Sequence, residues 1–226
     1  MSEQDLIAKL KQRGYWKVAI TPTEHIENRY SYPELKEIVK KCRVGLRGWS
    51  YPRLDQEHIF NRSGYIESYC EPNSSIEYWR FYRSAKFVHL LGMREDGMGE
   101  SRVVERFRDY AHNETLPAGL RGLSILGCIY TLTEIFEYAI HLSKYGVLGA
   151  APLVTLELFG LKNRMLYFED VFRDLRKPYI SRDDYLKLEV PFGPGNDLIE
   201  NGHQFARSWF VEIAQQFQWN EPLAQF

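Results

Sequence analysis

Residues 78–90 read YWRFYRSAKFVHL, and the fold turns on how they are read. Alternation along a strand puts Tyr78, Arg80, Tyr82 and Ser84 on one face, and Trp79, Phe81 and Arg83 on the other. The runs IEYWRFYRS (76–84) and KFVHLLGM (86–93) are rich in aromatic and β-branched residues, which favours two strands. A helix over residues 76–83 is the competing reading. His89, inside the second run, is most simply a core or sheet histidine.

On the N-terminal side, residues 5–13 carry Leu6, Ile7 and Leu10 at helical spacing and stop at Gly14. YWKVAITP (15–22) alternates like a strand and ends at Pro22. Ser31 followed by Pro33 marks a helix start, with the helix running to about Lys41. VGLRGWSYP (44–52) suggests a short strand entering a Gly-Trp turn, and GYIESYCE (64–71) a further strand.

On the C-terminal side, EDGMGE (95–100) is a turn, residues 102–112 are helical in pattern, and Pro117 with Gly119 marks a boundary. Residues 122–144 form the strongest helical pattern. Leu126, Ile129, Leu132, Phe136, Ala139 and Ile140 lie on its apolar side, with Tyr130, Glu134, Glu137, His141 and Lys144 opposite. PLVTLELFG (152–160) and RMLYFEDVF (164–172) read as strands joined by a turn at 160–163, and YLKLEVPFG (185–193) as a third. Asp197, with Glu200 three residues later, opens a last helix to about Phe217. The mixture predicts an α+β fold, mostly antiparallel sheet with packed helices. It is organised as one domain or as two similar-sized halves, an aromatic and basic 1–116 and a 117–226 built on the long helix.

At 226 residues the chain is long enough to bury a sizeable core. A net charge of -1 excludes global steering toward nucleic acid and leaves room for a local patch. Cys42, Cys70 and Cys128 are widely spaced with no C-x-x-C, which argues for a reducing compartment and against a structural zinc. The first residues, MSEQDLIAKLKQRGYWK, lack the apolar stretch of a signal peptide. The apolar zone 123–142 is interrupted by Glu134, Glu137 and His141, too polar for a membrane span. These features predict a soluble cytoplasmic protein.

Aromatics reach 15% of the chain, and beside arginines they build either rigid cores or surfaces that grip flat or anionic partners. Between Lys36 and Arg53 there are six basic residues and a single acid, Glu37. Here Lys40, Lys41, Arg43, Arg47 and Arg53 are candidates to neutralise phosphates, with Trp49 and Tyr51 to stack on bases. The structural alternative is a solvated helix C-terminus whose cations complement the macrodipole, followed by a core Trp. Arg80 and Tyr82 belong to a Tyr-Arg-Tyr face that suits a nucleotide or a partner, or else a cross-strand ladder.

Glu105, Asp109 and His112 share one helical face, an arrangement able to hold a divalent metal. The same spacing describes a polar stripe pairing with Arg102, Arg106 and Arg108. Glu137 and His141 are spaced Glu-x-x-x-His, unlike the Glu-x-x-His of di-iron bundles, and read as a surface pair. No P-loop or H-E-x-x-H occurs, and GWSYP and GLSILG lack the second glycine of a nucleophile elbow. FGPGND (192–197) is glycine-rich before a helix, but Asp197 would repel an anion there. His25, His58, His89 and His203 are isolated and support no triad.

LRGWSYP (46–52) followed by EYWRFYRSAKFVHLLGMRED (77–96) resembles a pattern in bacterial proteins, some of which accompany AlbA-like, Schlafen-type DNA-binding modules. The similarity covers Val44 to Asp96 and extends loosely to LELFGLKNRMLYF (156–168). It implies a bacterial cytoplasmic protein in regulation or defence, and transfers no catalytic residue. The AlbA-like DNA-binding segment itself is not seen, so DNA binding does not follow from the likeness. The leading expectation is a non-enzymatic interaction or sensing module without cofactor or membrane attachment. Its partner is expected to be a protein, with nucleic acid or nucleotide second. A metal-dependent hydrolase or nuclease using Glu105, Asp109 and His112 is the runner-up, and an oligomer subunit with aromatics at its interface the third.

Overall fold

Residues 78–90 lie on two antiparallel strands of a seven-stranded sheet. The computed structural model describes residues 3–54, 59–71, 75–97, 119–169, 175, 177–193 and 197–220. Along the chain come α1 (Glu3–Lys11), β1 (Tyr15–Thr21), α2 (Tyr32–Cys42), β2 (Ile59–Arg62), β3 (Tyr65–Cys70), β4 (Glu77–Tyr82) and β5 (Phe87–Gly92). A 3₁₀ turn (Arg94–Gly97) follows, then β6 (Arg121–Ser124), α3 (Ile125–Lys144), β7 (Leu153–Phe159), β8 (Arg164–Tyr167), β9 (Tyr185–Pro191) and α4 (Asp197–Gln216). The fold is α+β.

The large sheet has the order β2-β3-β4-β5-β1-β7-β9, and every pairing in it is antiparallel. β1 sits between β5 and β7, so one sheet draws strands from both sides of residue 117. Its inner face carries the in-register residues Trp16, Val18 and Ile20 of β1 with Leu91, His89 and Phe87 of β5 and Leu158, Leu156 and Val154 of β7. These join the main core beneath α2, α3 and α4. The outer face is more polar, with ion pairs such as Lys17–Glu157, and α1 rests on its β4–β5 part through Leu6, Leu10, Ile76 and Tyr78.

α2 begins with a capping box: Ser31 Oγ accepts from Glu34 N–H, and the Glu34 carboxylate accepts from Ser31 N–H at 2.7 Å. α3 differs from the two-sided helix expected from sequence. Leu132, Phe136, Ala139 and Ile140 are buried as predicted, and Leu126 and Ile129 are half-buried. Glu134, placed on the polar side from sequence, is fully buried, as are Ile135 and Tyr138. The helix is long and apolar enough to cross a membrane by length and composition, yet it is mostly buried inside the protein. α4 crosses close to it: a Cβ at Gly202 would come 2.7 Å from Ile140 Cδ1, so glycine permits the approach.

One further correction concerns a strand. Residues 122–124, read as the first turn of the helix, belong to strand β6, and the helix starts at the N-cap Ser124. β7 and β8 are strands joined by a turn, as the sequence suggests. β8 pairs in parallel with β6, because both sides of β7 are already taken by β1 and β9.

Candidate binding cleft

Val44 and Tyr51 exchange backbone hydrogen bonds of 2.9 and 2.7 Å, pinning the base of a loop over residues 45–50. Ser50 Oγ accepts from Leu54 N–H at 3.2 Å and holds the exit. This loop carries Arg47 and Trp49. It forms one wall of a cleft of about 1050 Å³ whose other walls are the first turns of α3, the ends of β4 and β5, and the 3₁₀ turn. The volume lies at the upper end of the range for small-molecule sites.

Trp49 is half-buried and has two guanidinium groups over its ring, Arg47 at 5.1 Å and Arg53 at 5.2 Å. Arg47 also faces the Tyr130 ring at 5.9 Å. Neither arginine presents a bare charge. Arg47 donates to both carboxylate oxygens of Glu134, with Nε–Oε1 at 3.1 Å, and its Nη2 reaches Thr131 Oγ1 at 3.4 Å. Arg53 Nε lies 3.4 Å from Glu77 Oε1, an ion-pair contact outside hydrogen-bond geometry. The Arg53 carbonyl accepts from Trp79 Nε1 at 2.9 Å, tying the loop to the core of β4.

Beneath Trp49 is a buried polar group. Glu77 Oε2 is 3.5 Å from His89 Nε2, and the fully buried His89 packs against Tyr51 at 5.0 Å. Tyr51 in turn meets Tyr138 edge-on at 5.8 Å. The two phenol oxygens and both imidazole nitrogens have no hydrogen-bond partner among the described residues. Burial pushes the Tyr51 hydroxyl well up, helped by the Glu134 charge, and burial does the same to Tyr138. Burial also raises Glu134, against the opposing pull of Arg47. Glu95 is raised by burial although it accepts from Ser124 N–H at 2.9 Å. Burial pushes the Cys128 thiol, in the cleft wall, well up.

The nine basic and aromatic candidates divide three ways. Arg47, Trp49 and Arg53 line the cleft, and Tyr51 lies in the core behind it. Lys40, Lys41 and Arg43 are exposed around the C-terminus of α2, where Lys41 pairs with Glu37 at 3.7 Å. Arg80 and Tyr82 face the opposite side of the sheet. Glu105, Asp109 and His112 lie outside the described residues. Among the described residues no group of three or more His, Cys, Asp or Glu is placed to hold a metal. Glu137 pairs with His141 at 3.6 Å and with His203 at 3.1 Å.

Sequence reasoning missed Glu77 and put Glu134 on the polar side of its helix, while His89 is the buried sheet histidine it suggested. The signal for Glu134 was present: a carboxylate inside an otherwise apolar helix needs a buried cation. No family model, no curated protein and no solved structure matches this chain.

Proposed function

We propose that this protein is a non-enzymatic recognition module that takes a segment of a protein partner into the cleft beside Trp49. The observation that carries this reading is the composition and exposure of the rim. Trp49 stands half-exposed with two arginines close to its ring, and Leu46 and Tyr130, which line the same cleft, are each 45% exposed. Trp, Tyr and Arg around a concave centre are the residues that dominate protein-interface energetics. The charges favour a protein over a nucleic acid. Arg47 and Arg53 face Glu134 and Glu77, so a phosphate would have to compete with two carboxylates. A regulatory role, as the likeness of residues 44–96 to bacterial proteins suggests, suits such a module.

The test immobilises the full chain and its Trp49→Ala and Tyr130→Ala variants, and compares what each retains from an extract of its own cells. A protein held by the wild type should be weakened roughly 30-fold or more by either change, as for an interface hot spot. Binding should persist at about 0.5 M salt, where exposed charges are screened. Retention of the same proteins by both variants would sink the reading. So would tight, salt-sensitive binding of single-stranded oligonucleotides through Trp49.

A further inference from the structure

We propose that the pocket between α1 and the outer face of the sheet is a second site, separate from the cleft, which binds a small carboxylate with an unbranched apolar chain. The pocket has a volume of about 320 Å³ and is mostly apolar. At about 30 Å³ per water-sized atom it has room for a chain of roughly ten non-hydrogen atoms. One side is aliphatic, formed by Ile7 and Leu10 of α1 above Val88 and Leu90 of β5. The opposite wall is flat: Tyr15 and Phe159 stack at 4.6 Å with 12° between their planes.

The rim fixes the sign of the head group. Lys11, Lys17 and Arg80 line the pocket, and among the described residues no carboxylate lines it. Two of these cations are positioned by neighbours. Lys17 Nζ lies 2.6 Å from Glu157 Oε2, and the Arg80 guanidinium is held over the Tyr65 and Tyr78 rings at 4.7 and 5.2 Å with its Nε 3.7 Å from Glu67 Oε2. Lys11, at the end of α1, is exposed and makes no ion pair among the described residues. An anion entering beside Lys11 and Lys17 meets positive charge, while its chain replaces water over Val88 and Leu90. A cationic amphiphile would meet repulsion chiefly from Lys11, since Lys17 and Arg80 each have a carboxylate beside them.

The pocket also makes use of the way α1 is held. Leu6, Leu10, Ile76 and Tyr78 form a small cluster apart from the main core, with Ile7, Tyr15, Tyr69 and Leu90 packed against it. A chain lying beneath α1 adds apolar contact to that small cluster. Binding should therefore stabilise the protein by mass action.

The experiment is calorimetric titration of the full chain with sodium decanoate at monomeric concentrations, with thermal melts alongside. One decanoate should bind per chain and raise the melting temperature, and decyltrimethylammonium should bind at least tenfold more weakly. Lys11→Glu should weaken decanoate about fivefold, as expected for reversal of an exposed charge. Val88→Trp and Ile7→Trp, each filling the pocket from a different wall, should abolish the binding while circular dichroism stays native. Trp49→Ala should leave it unchanged, which separates this site from the cleft. Equal binding of the cationic amphiphile, uptake of decanoate by both filled-pocket variants, or no binding at all would overturn the proposal. Loss of binding in Trp49→Ala alone would also overturn it, by placing the ligand in the cleft.

Discussion

Replacing Arg47 by Met isolates the electrostatics of the cleft. Glu134 is fully buried and takes two hydrogen bonds from Arg47, which is itself 20% exposed. Removing one partner of a buried pair typically costs about 3–5 kcal/mol, because the other charge is left without compensation. Arg47 is partly wet and Glu134 can escape by taking a proton, so about 2–4 kcal/mol is expected at neutral pH. For a chain of this size that is a fall in melting temperature of roughly 4–16 °C. The pH dependence carries the sign. Burial already holds the Glu134 carboxyl above its ordinary 4.5, and Arg47 is what opposes that rise. Without Arg47 the folded value climbs further above the unfolded one. A carboxyl raised in this way gives its full stabilisation below the unfolded value and loses it as pH rises through the folded value. Arg47→Met should thus approach wild-type stability near pH 4 and fall behind as pH increases. Arg47→Met/Glu134→Leu should recover to within about 1 kcal/mol of wild type at neutral pH. Urea unfolding followed by circular dichroism at several pH values measures all of this. A deficit that does not change with pH, or a double variant no better than the single one, would refute the reasoning.

Leu132 is fully buried on α3, so Leu132→Ala should cost about 2–5 kcal/mol in urea unfolding. Gly160 has φ +73°, and a Cβ there would lie 2.8 Å from Gly14 Cα, so Gly160→Ala should destabilise by more than about 1 kcal/mol. Gly45→Ala, at a position with open space, should stay within about 0.5 kcal/mol in the same assay.

Local signals carried most of the elements. Alternation in residues 15–21, 65–70, 77–82 and 87–92 gave strands, and Ser31 with Pro33 gave the start of α2. The failures lie where partner choice is long-range. Nothing within residues 160–167 says that β7 already has two neighbours, so the sequence left the partner of β8 open. Residues 122–124 of β6 looked helical because Leu123 continues the apolar spacing of α3. Only the parallel partner β8, about forty residues later, makes them a strand. For the site, composition exposed Arg47, Trp49 and Arg53 but could not separate them from Lys40, Lys41 and Arg43. The acids that divide the group come from β4 and α3, and Glu134 lies 87 positions from Arg47. Burial of a charge becomes legible only once its distant counter-charge is known.

The aromatic-basic run of β4 and its neighbours thus serves two different surfaces, and the strand period divides it. Trp79 points to the inner side, where its indole holds the loop bearing Arg53, while Arg80, one residue on, points outward over Tyr65 and Tyr78. On the inner side Arg47 and Arg53 each meet a carboxylate, so the recognition proposed there would rest on shape and aromatic contact around Trp49. On the outer side Lys11 remains without an ion pair among the described residues, so charge selects what enters. The two surfaces must therefore answer salt differently. Raising ionic strength should weaken an anion held at the exposed Lys11 and leave a contact centred on Trp49 nearly unchanged, because screening acts on exposed charges and not on apolar aromatic contact.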